Sequence, residues 1–291
     1  MEIQVITNQK YELAEGPVWD ARSQSIYWVD ILKGALHEFN FQNSNHHTYS
    51  INEMIGSFAL CKNGKMVIAT QNGFGFLDRA TGNLSRAVDI ENHLPNNRFN
   101  DGKCDPQGRF WAGSMSLNEE PNAGSLYAFE NNIVQKKIEN VTISNGLAWS
   151  IDHKTMYYID TPTFEVVAYK FEKKSGCISN RQVALKIPIE DGFPDGMTID
   201  NEGMLWIAHW DGWQVTRWNP NTGKKLLCIK LPASKITSCT FGGKDLTDLF
   251  ITSAYVGLSE DELKAQPLAG SLFVIRNCGF KGELPFDFNN K

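Results

Sequence analysis

Large apolar residues recur along this chain in short runs, each preceded by a turn of Asp, Asn, Gly or Lys and closed by a small or polar residue. Six such runs are centred on Trp28, Val67, Trp111, Tyr158, Trp206 and Phe250, at intervals of 39, 44, 47, 48 and 44 residues. That interval is about the length of one propeller blade of four strands. The runs are rich in Val, Ile, Tyr, Phe and Trp and are bounded by Gly, Asn, Asp and Pro, which is strand chemistry with hairpin punctuation. Asp105-Pro106-Gln107-Gly108 and Asp200-Asn201-Glu202-Gly203 read as tight turns whose Gly accepts a positive φ. Only Ser259 to Ala265 reads as helical, and its late position suggests a surface insertion between two blade-like units. The pattern predicts an all-β, six-bladed β-propeller spanning residues 1–291 as one domain, with a central channel on which loops from every blade converge.

Composition narrows the functional classes. A formal net charge of -5, with Lys and Arg scattered, argues against a nucleic-acid partner, which is met by a basic stripe. The residues around Glu2 lack the apolar core of a signal peptide, and nowhere do eighteen apolar residues run together, so a cytoplasmic protein with no membrane partner is expected. The six cysteines are widely spaced without a Cys-x-x-Cys pair. Free, mostly packing thiols are therefore expected, not a zinc ribbon or a redox dithiol. No Gly-x-Ser-x-Gly elbow, His-Glu-x-x-His zincin motif, P-loop or dinucleotide fingerprint is present.

The candidate chemistry lies in polar residues beside glycine. Glu15-Gly16, Asp101-Gly102, Asn145-Gly146 and Asp195-Gly196 each fall in a different blade, where the pattern predicts a loop. Each alone could be an ordinary turn. Together, three oxygen ligands from separate blades, with water completing the shell, would suit a hard divalent cation. The segment Asn97 to Lys103 gathers Arg98, Asn100, Asp101 and Lys103 in one predicted loop, a density suited to hydroxyls and carboxylates of a polar ligand. Pro194 and Gly196 flank Asp195 and would hold it in one orientation. His209 closes a strand before Trp210-Asp211-Gly212-Trp213 and could face the channel to contact substrate or serve as packing.

The segments Glu15-Gly16-Pro17-Val18-Trp19, Asn97 to Lys103, Ser144 to Ser150, Tyr157 to Asp160, Pro194-Asp195-Gly196 and Thr237 to Gly243, in order and over nearly the whole chain, resemble the SMP-30/gluconolactonase/regucalcin-like family. The resemblance implies a six-bladed propeller with one divalent metal ion at the channel mouth, held by Glu15, Asn145 and Asp195. It carries Arg98 and Asn100 over as substrate contacts. The metal accepted in the family varies among calcium, zinc, manganese, magnesium and iron. Related animal proteins place a substrate-contacting Glu after the segment matching Ala112 to Met115. Ungapped matching puts Asn118 there, with Glu119 just beyond, so either could make the lid contact.

The resemblance implies a hydrolase acting on a sugar lactone, which it opens to the aldonic acid. A cyclic ester needs an electrophile on its carbonyl oxygen, an attacking water and a base, and a metal can act as the Lewis acid. Asp195 is the expected catalytic base, with a ligand-only role as the competing reading. Two rival functions stay open: a non-catalytic calcium-binding or scaffolding propeller, and a metal-dependent esterase for another ester.

Overall fold

The computed structural model describes residues 2–289. Six antiparallel sheets of four strands each succeed one another along the chain. They form a six-bladed all-β propeller, whose blades are called I to VI here. The first strand of each blade faces the channel: Ala14–Asp20, Ile55–Leu60, Asn97–Cys104, Ser144–Trp149, Phe193–Ile199 and Lys235–Gly242.

The six apolar anchors all fall in the second strand of a blade, such as Ser25–Asp30, Phe110–Ser116 and Leu205–Trp210. These strands are buried along their whole length or nearly so, since they have a neighbour on each side in the sheet and another blade above and below. A strand covered on both faces reads as an unbroken apolar run, which is why the anchors were legible. Outer strands such as Cys177–Lys186 are largely exposed.

The turns before two anchors are tied to the core by their own aspartates. Asp105 accepts from the Gln107 and Arg109 amides through Oδ1, and its Oδ2 accepts from Trp111 Nε1 at 3.0 Å. Asp200 repeats the scheme with Glu202, Met204 and Trp206 Nε1 at 2.9 Å. Arg109 and Arg217 pair with these fully buried carboxylates. A charge taken out of water persists only when paired and hydrogen-bonded in this way. Gly108 and Gly203 take φ of +88° and +79°, as the predicted turns require.

Blade VI is built from both ends of the described chain. Ile3–Val5 pairs with Phe273–Ile275, closing the ring through backbone hydrogen bonds. The predicted helix exists as Glu260–Ala265, with a capping box between Ser259 and Glu262. It lies inside blade VI, not between two blades. The Phe250 run is the second strand of its sheet, so the helix forms part of the connection to the third. No helix among the described residues is long and apolar enough to cross a membrane. All six cysteines are free, and Cys61, Cys104, Cys239 and Cys278 are buried.

One irregularity positions the site. Every inner strand breaks register with its neighbour near its beginning: between Glu15 and Val18, Ile55 and Ser57, Phe99 and Gly102, Asn145 and Leu147, Pro194 and Met197, and Ile236 and Ser238. A β-bulge leaves its extra residue outside the ladder and re-aims side chains around it. Glycine is required there because adjacent inner strands touch. A Cβ on Gly196 would lie 2.2 Å from Ser238 Oγ, and one on Gly146 would lie 2.7 Å from Met197 Cβ.

Candidate active site

The acid-glycine pairs, and the segment Asn97 to Lys103, lie in inner strands and not in the loops that the sequence suggested, because a bulge in a strand calls for the same residues as a turn. Glu15 accepts a hydrogen bond from the Gly16 amide at 2.9 Å, and Asp101 accepts one from the Gly102 amide at 2.7 Å. Each carboxylate satisfies an amide that its bulge removes from the ladder. Asp195, in blade V, lies within hydrogen-bonding reach of both Glu15 in blade I and Asn145 in blade IV. The three residues proposed as metal ligands therefore meet, each 4 to 6% exposed.

Arg98 and Asn100 join them. Arg98 Nη1 donates to Asn100 Oδ1 at 2.7 Å and to its neighbour's carbonyl, Phe99 O, at 3.0 Å. Asn100 Nδ2 donates to Ser144 O at 2.8 Å and approaches Asn145 Oδ1 at 3.3 Å. Thr161 completes the support. Its Oγ1 accepts from Asn145 Nδ2 at 2.8 Å and donates to Pro194 O at 2.8 Å, so one hydroxyl links the amide to the strand carrying Asp195. Nothing in the sequence singled out Thr161, a residue type frequent in all strands.

The electrostatics are those of a crowded acid cluster. Burial, then the nearby Asp101, pushes the Glu15 carboxyl up to about 8, against the pull of the Gly16 amide and Arg98. Asp195 is raised well above the usual carboxylate range, first by burial and then by Glu15 and Asp101. Burial also raises Asp101, with Lys103 and the Gly102 amide opposing it. Arg98 is pushed down to about 10 by burial, while Glu15, Asp195 and Glu119 favour its charge. Buried carboxyls this close hold protons because like charges cannot share so little water.

The donor set fits a divalent cation on its chemistry. Glu15 and Asp195 offer carboxylate oxygens and Asn145 offers an amide oxygen, the hard donors that calcium, magnesium and manganese take. Burial and the crowding of carboxylates raise Glu15 and Asp195, and a cation between them would neutralise that charge. Among the described residues no three His, Cys, Asp or Glu side chains form a metal-holding group. A set of two acids and an amide does not need one.

The remaining candidates divide. Asn118 and Glu119 lie in the exposed loop after Phe110–Ser116. Glu119, with φ of +54°, acts electrostatically on Arg98. The interaction puts the Glu119 carboxylate on the side of the cluster that Arg98 faces. His209 is a correction: it faces the interior of blade V, fully buried, with Nε2 2.6 Å from Thr216 Oγ1. Burial pushes its pKa down to about 4, so it is a neutral group packed within blade V. Its place at the end of the unbroken apolar run Leu205 to Ala208 left both faces open in the sequence. The partner strand decided which face it took.

A six-bladed propeller with a buried acid-amide-guanidinium cluster at the beginning of its inner strands is the class of protein that fold and site define. The sequence matches the profile of the family described as SMP-30/Gluconolactonase/LRE-like region over residues 13–255, and the chain belongs to that family. It is 40% identical to regucalcin of Xenopus laevis over 99% of this chain and 98% of the relative. Its fold is similar to that of a calcium-binding protein, regucalcin, from Agrobacterium tumefaciens, with TM-score 0.94 and 29% identity over 98% of this chain and 96% of the other. It is also similar to a luciferin-regenerating enzyme, with TM-score 0.93 and 30% identity over 99% of both chains.

Proposed function

We propose that this protein hydrolyses a sugar lactone to the aldonic acid, with one divalent metal ion held by Glu15, Asn145 and Asp195. The observation that carries this reading is the meeting of two buried carboxyls from blades I and V with an amide from blade IV, beside the Arg98 guanidinium. When bound, the ion would supply a Lewis acid for the carbonyl oxygen and lower the pKa of water. Asp195 accepts the proton of the attacking water, a task suited to a carboxylate within hydrogen-bond reach of it. Arg98 and Asn100 bind ring and hydroxyl oxygens of the lactone, and their mutual hydrogen bond fixes both before substrate arrives. Glu119 closes over the same side as the lid contact. The family description includes gluconolactonase, which supports the lactone as substrate class.

A lactone panel, assayed on metal-stripped protein after separate addition of calcium, magnesium, manganese, zinc and iron, tests the proposal. Turnover of at least one aldonolactone, dependent on added metal, is expected. Absence of turnover with every metal would overturn it and, if calcium still bound, would favour a non-catalytic calcium-binding propeller. The name of the Agrobacterium neighbour gives that second reading its support.

A further inference from the structure

Below the acid cluster the channel opens into a cavity of about 300 Å³. It is lined by the later halves of the inner strands and is closed by the segment Glu283 to Asp287 near the carboxy terminus. Phe58, Leu60, Trp149, Ile199, Leu284 and Phe286 make its wall mainly apolar. One cation enters it. Lys103, on the inner strand of blade III, reaches across to donate to Met197 O of blade V at 2.7 Å. That bond places its ammonium across the channel, and it is the only lysine or arginine among the described lining residues. Asp101 and Cys239 act on it electrostatically, yet among the described residues no carboxylate forms an ion pair with it. A buried ammonium with one carbonyl partner has two N–H groups and a charge to satisfy.

The closing strap is held at its ends. Gly282 donates to Leu246 O at 2.9 Å and Phe288 donates to Leu60 O at 2.7 Å. A bridge between Asp200 and Gly282 extends the first anchor, and among the described residues no backbone hydrogen bond holds residues 284–287. Arg22 pairs with Asp287 at 3.0 Å, the Phe286 ring meets His153 edge-on, and Leu284 is 50% exposed. A cover fixed at two points by few contacts can lift without disturbing the sheets.

A largely apolar space of this size whose one cation is Lys103 has the make-up of a small-molecule pocket. Its carboxylates are otherwise engaged or outside: Asp101 accepts from the Gly102 amide, Asp287 pairs with Arg22, and Glu283 is exposed on the strap. We propose that this cavity, which adjoins the acid cluster at Asp101, is a second binding site for a small aromatic or alkyl monocarboxylate. The ligand's carboxylate takes the free N–H groups of Lys103, and its apolar body lies against Trp149, Leu284 and Phe286. Entry is past the strap. The site needs neither the metal nor the lactonase reading.

Calorimetric titration of the full-length protein with phenylbutyrate and with its neutral amide tests the proposal. The carboxylate should bind about ten- to a hundredfold more tightly than the amide, the range expected of one buried charge-assisted hydrogen bond. Lys103→Met should abolish that preference and leave the amide's affinity unchanged, whereas Arg98→Ala should alter neither. Leu284→Glu, at a half-exposed position that folding tolerates, should weaken both ligands, and it serves as the location test should Lys103→Met fail to fold. No saturable binding of either compound, equal affinity for both in the unaltered protein, loss of binding in Arg98→Ala, or unchanged binding in Leu284→Glu would each overturn the proposal.

Discussion

At the end of the channel where the inner strands begin, Glu15, Arg98, Asn100, Asp101, Asn145 and Asp195 are buried together. Where the same strands finish, Phe58, Leu60, Trp149 and Ile199 face a cavity under the carboxy-terminal strap. The first group sits in and beside the bulges, where polar side chains leave the ladder and converge, each held in place by the others. Beyond the bulges the strands run in regular register, and apart from Lys103 the side chains on the cavity wall are placed mainly by packing. The comparison teaches that the same scaffold makes one end interdependent and the other tolerant. A charge removed from the first end leaves its partners buried and unmatched, while an apolar group trimmed at the second loses only its own contacts.

The strongest test of that contrast is Asp195→Asn. The substitution keeps an oxygen donor of nearly the same shape but cannot accept a proton near neutral pH. Turnover at saturating metal should fall by about 10² to 10⁴, the range of general-base contributions, with the ion retained on elemental analysis. Near-normal turnover in the metal-loaded variant would reduce Asp195 to a ligand.

The charge crowding should also show as a pH dependence of the metal-free protein. Glu15 has its folded pKa raised from an ordinary 4.5 to about 8, chiefly by burial. The unfolded chain releases this proton near the ordinary value while the folded chain keeps it. The group therefore leaves stability unaffected below about pH 4.5 and lowers it progressively as pH rises toward 8. Urea unfolding across that window should show the decline. Saturating metal should remove it, and calorimetry in buffers of different ionisation enthalpy should find on the order of one proton released on metal binding near pH 7. A flat profile without metal would mean that Glu15 is ionised in the folded protein.

Thr161→Val separates support from ligation. The hydroxyl touches Asn145 and Pro194 O and none of the acids. Its loss should weaken metal affinity by about 10- to 100-fold, as removal of an outer partner does, with far-ultraviolet circular dichroism unchanged. Affinity equal to that of the unaltered protein would show that Asn145 is oriented by the strand alone. The smallest effect belongs to the other end. Leu284→Ala should change unfolding free energy by no more than about 0.5 kcal/mol and leave lactone turnover within experimental error. A tenfold loss of turnover there would break the contrast by showing that the strap and the acid cluster are coupled.

Much of this architecture was legible in the chain because its signals are local. Strands covered on both faces must be apolar throughout, so the spacing from Trp28 to Phe250 counted the blades and ordered them. A residue that leaves a ladder at a bulge needs a glycine beside it and an amide partner, so Glu15-Gly16 and Asp101-Gly102 marked the level of the site before any contact was visible. Other features depend on what arrives from elsewhere in the chain. His209 turns into blade V, where Thr216 lies on the next strand, and Glu119 acts on Arg98 from a loop that is distant from it in sequence. Thr161 and Lys103 acquire their roles from Asn145 and Met197, which are distant in sequence. The placement of the late helix inside blade VI was likewise decided by the amino-terminal strand that completes that sheet. Period and composition are set residue by residue along the chain, whereas partnership across the channel exists only once the ring has closed.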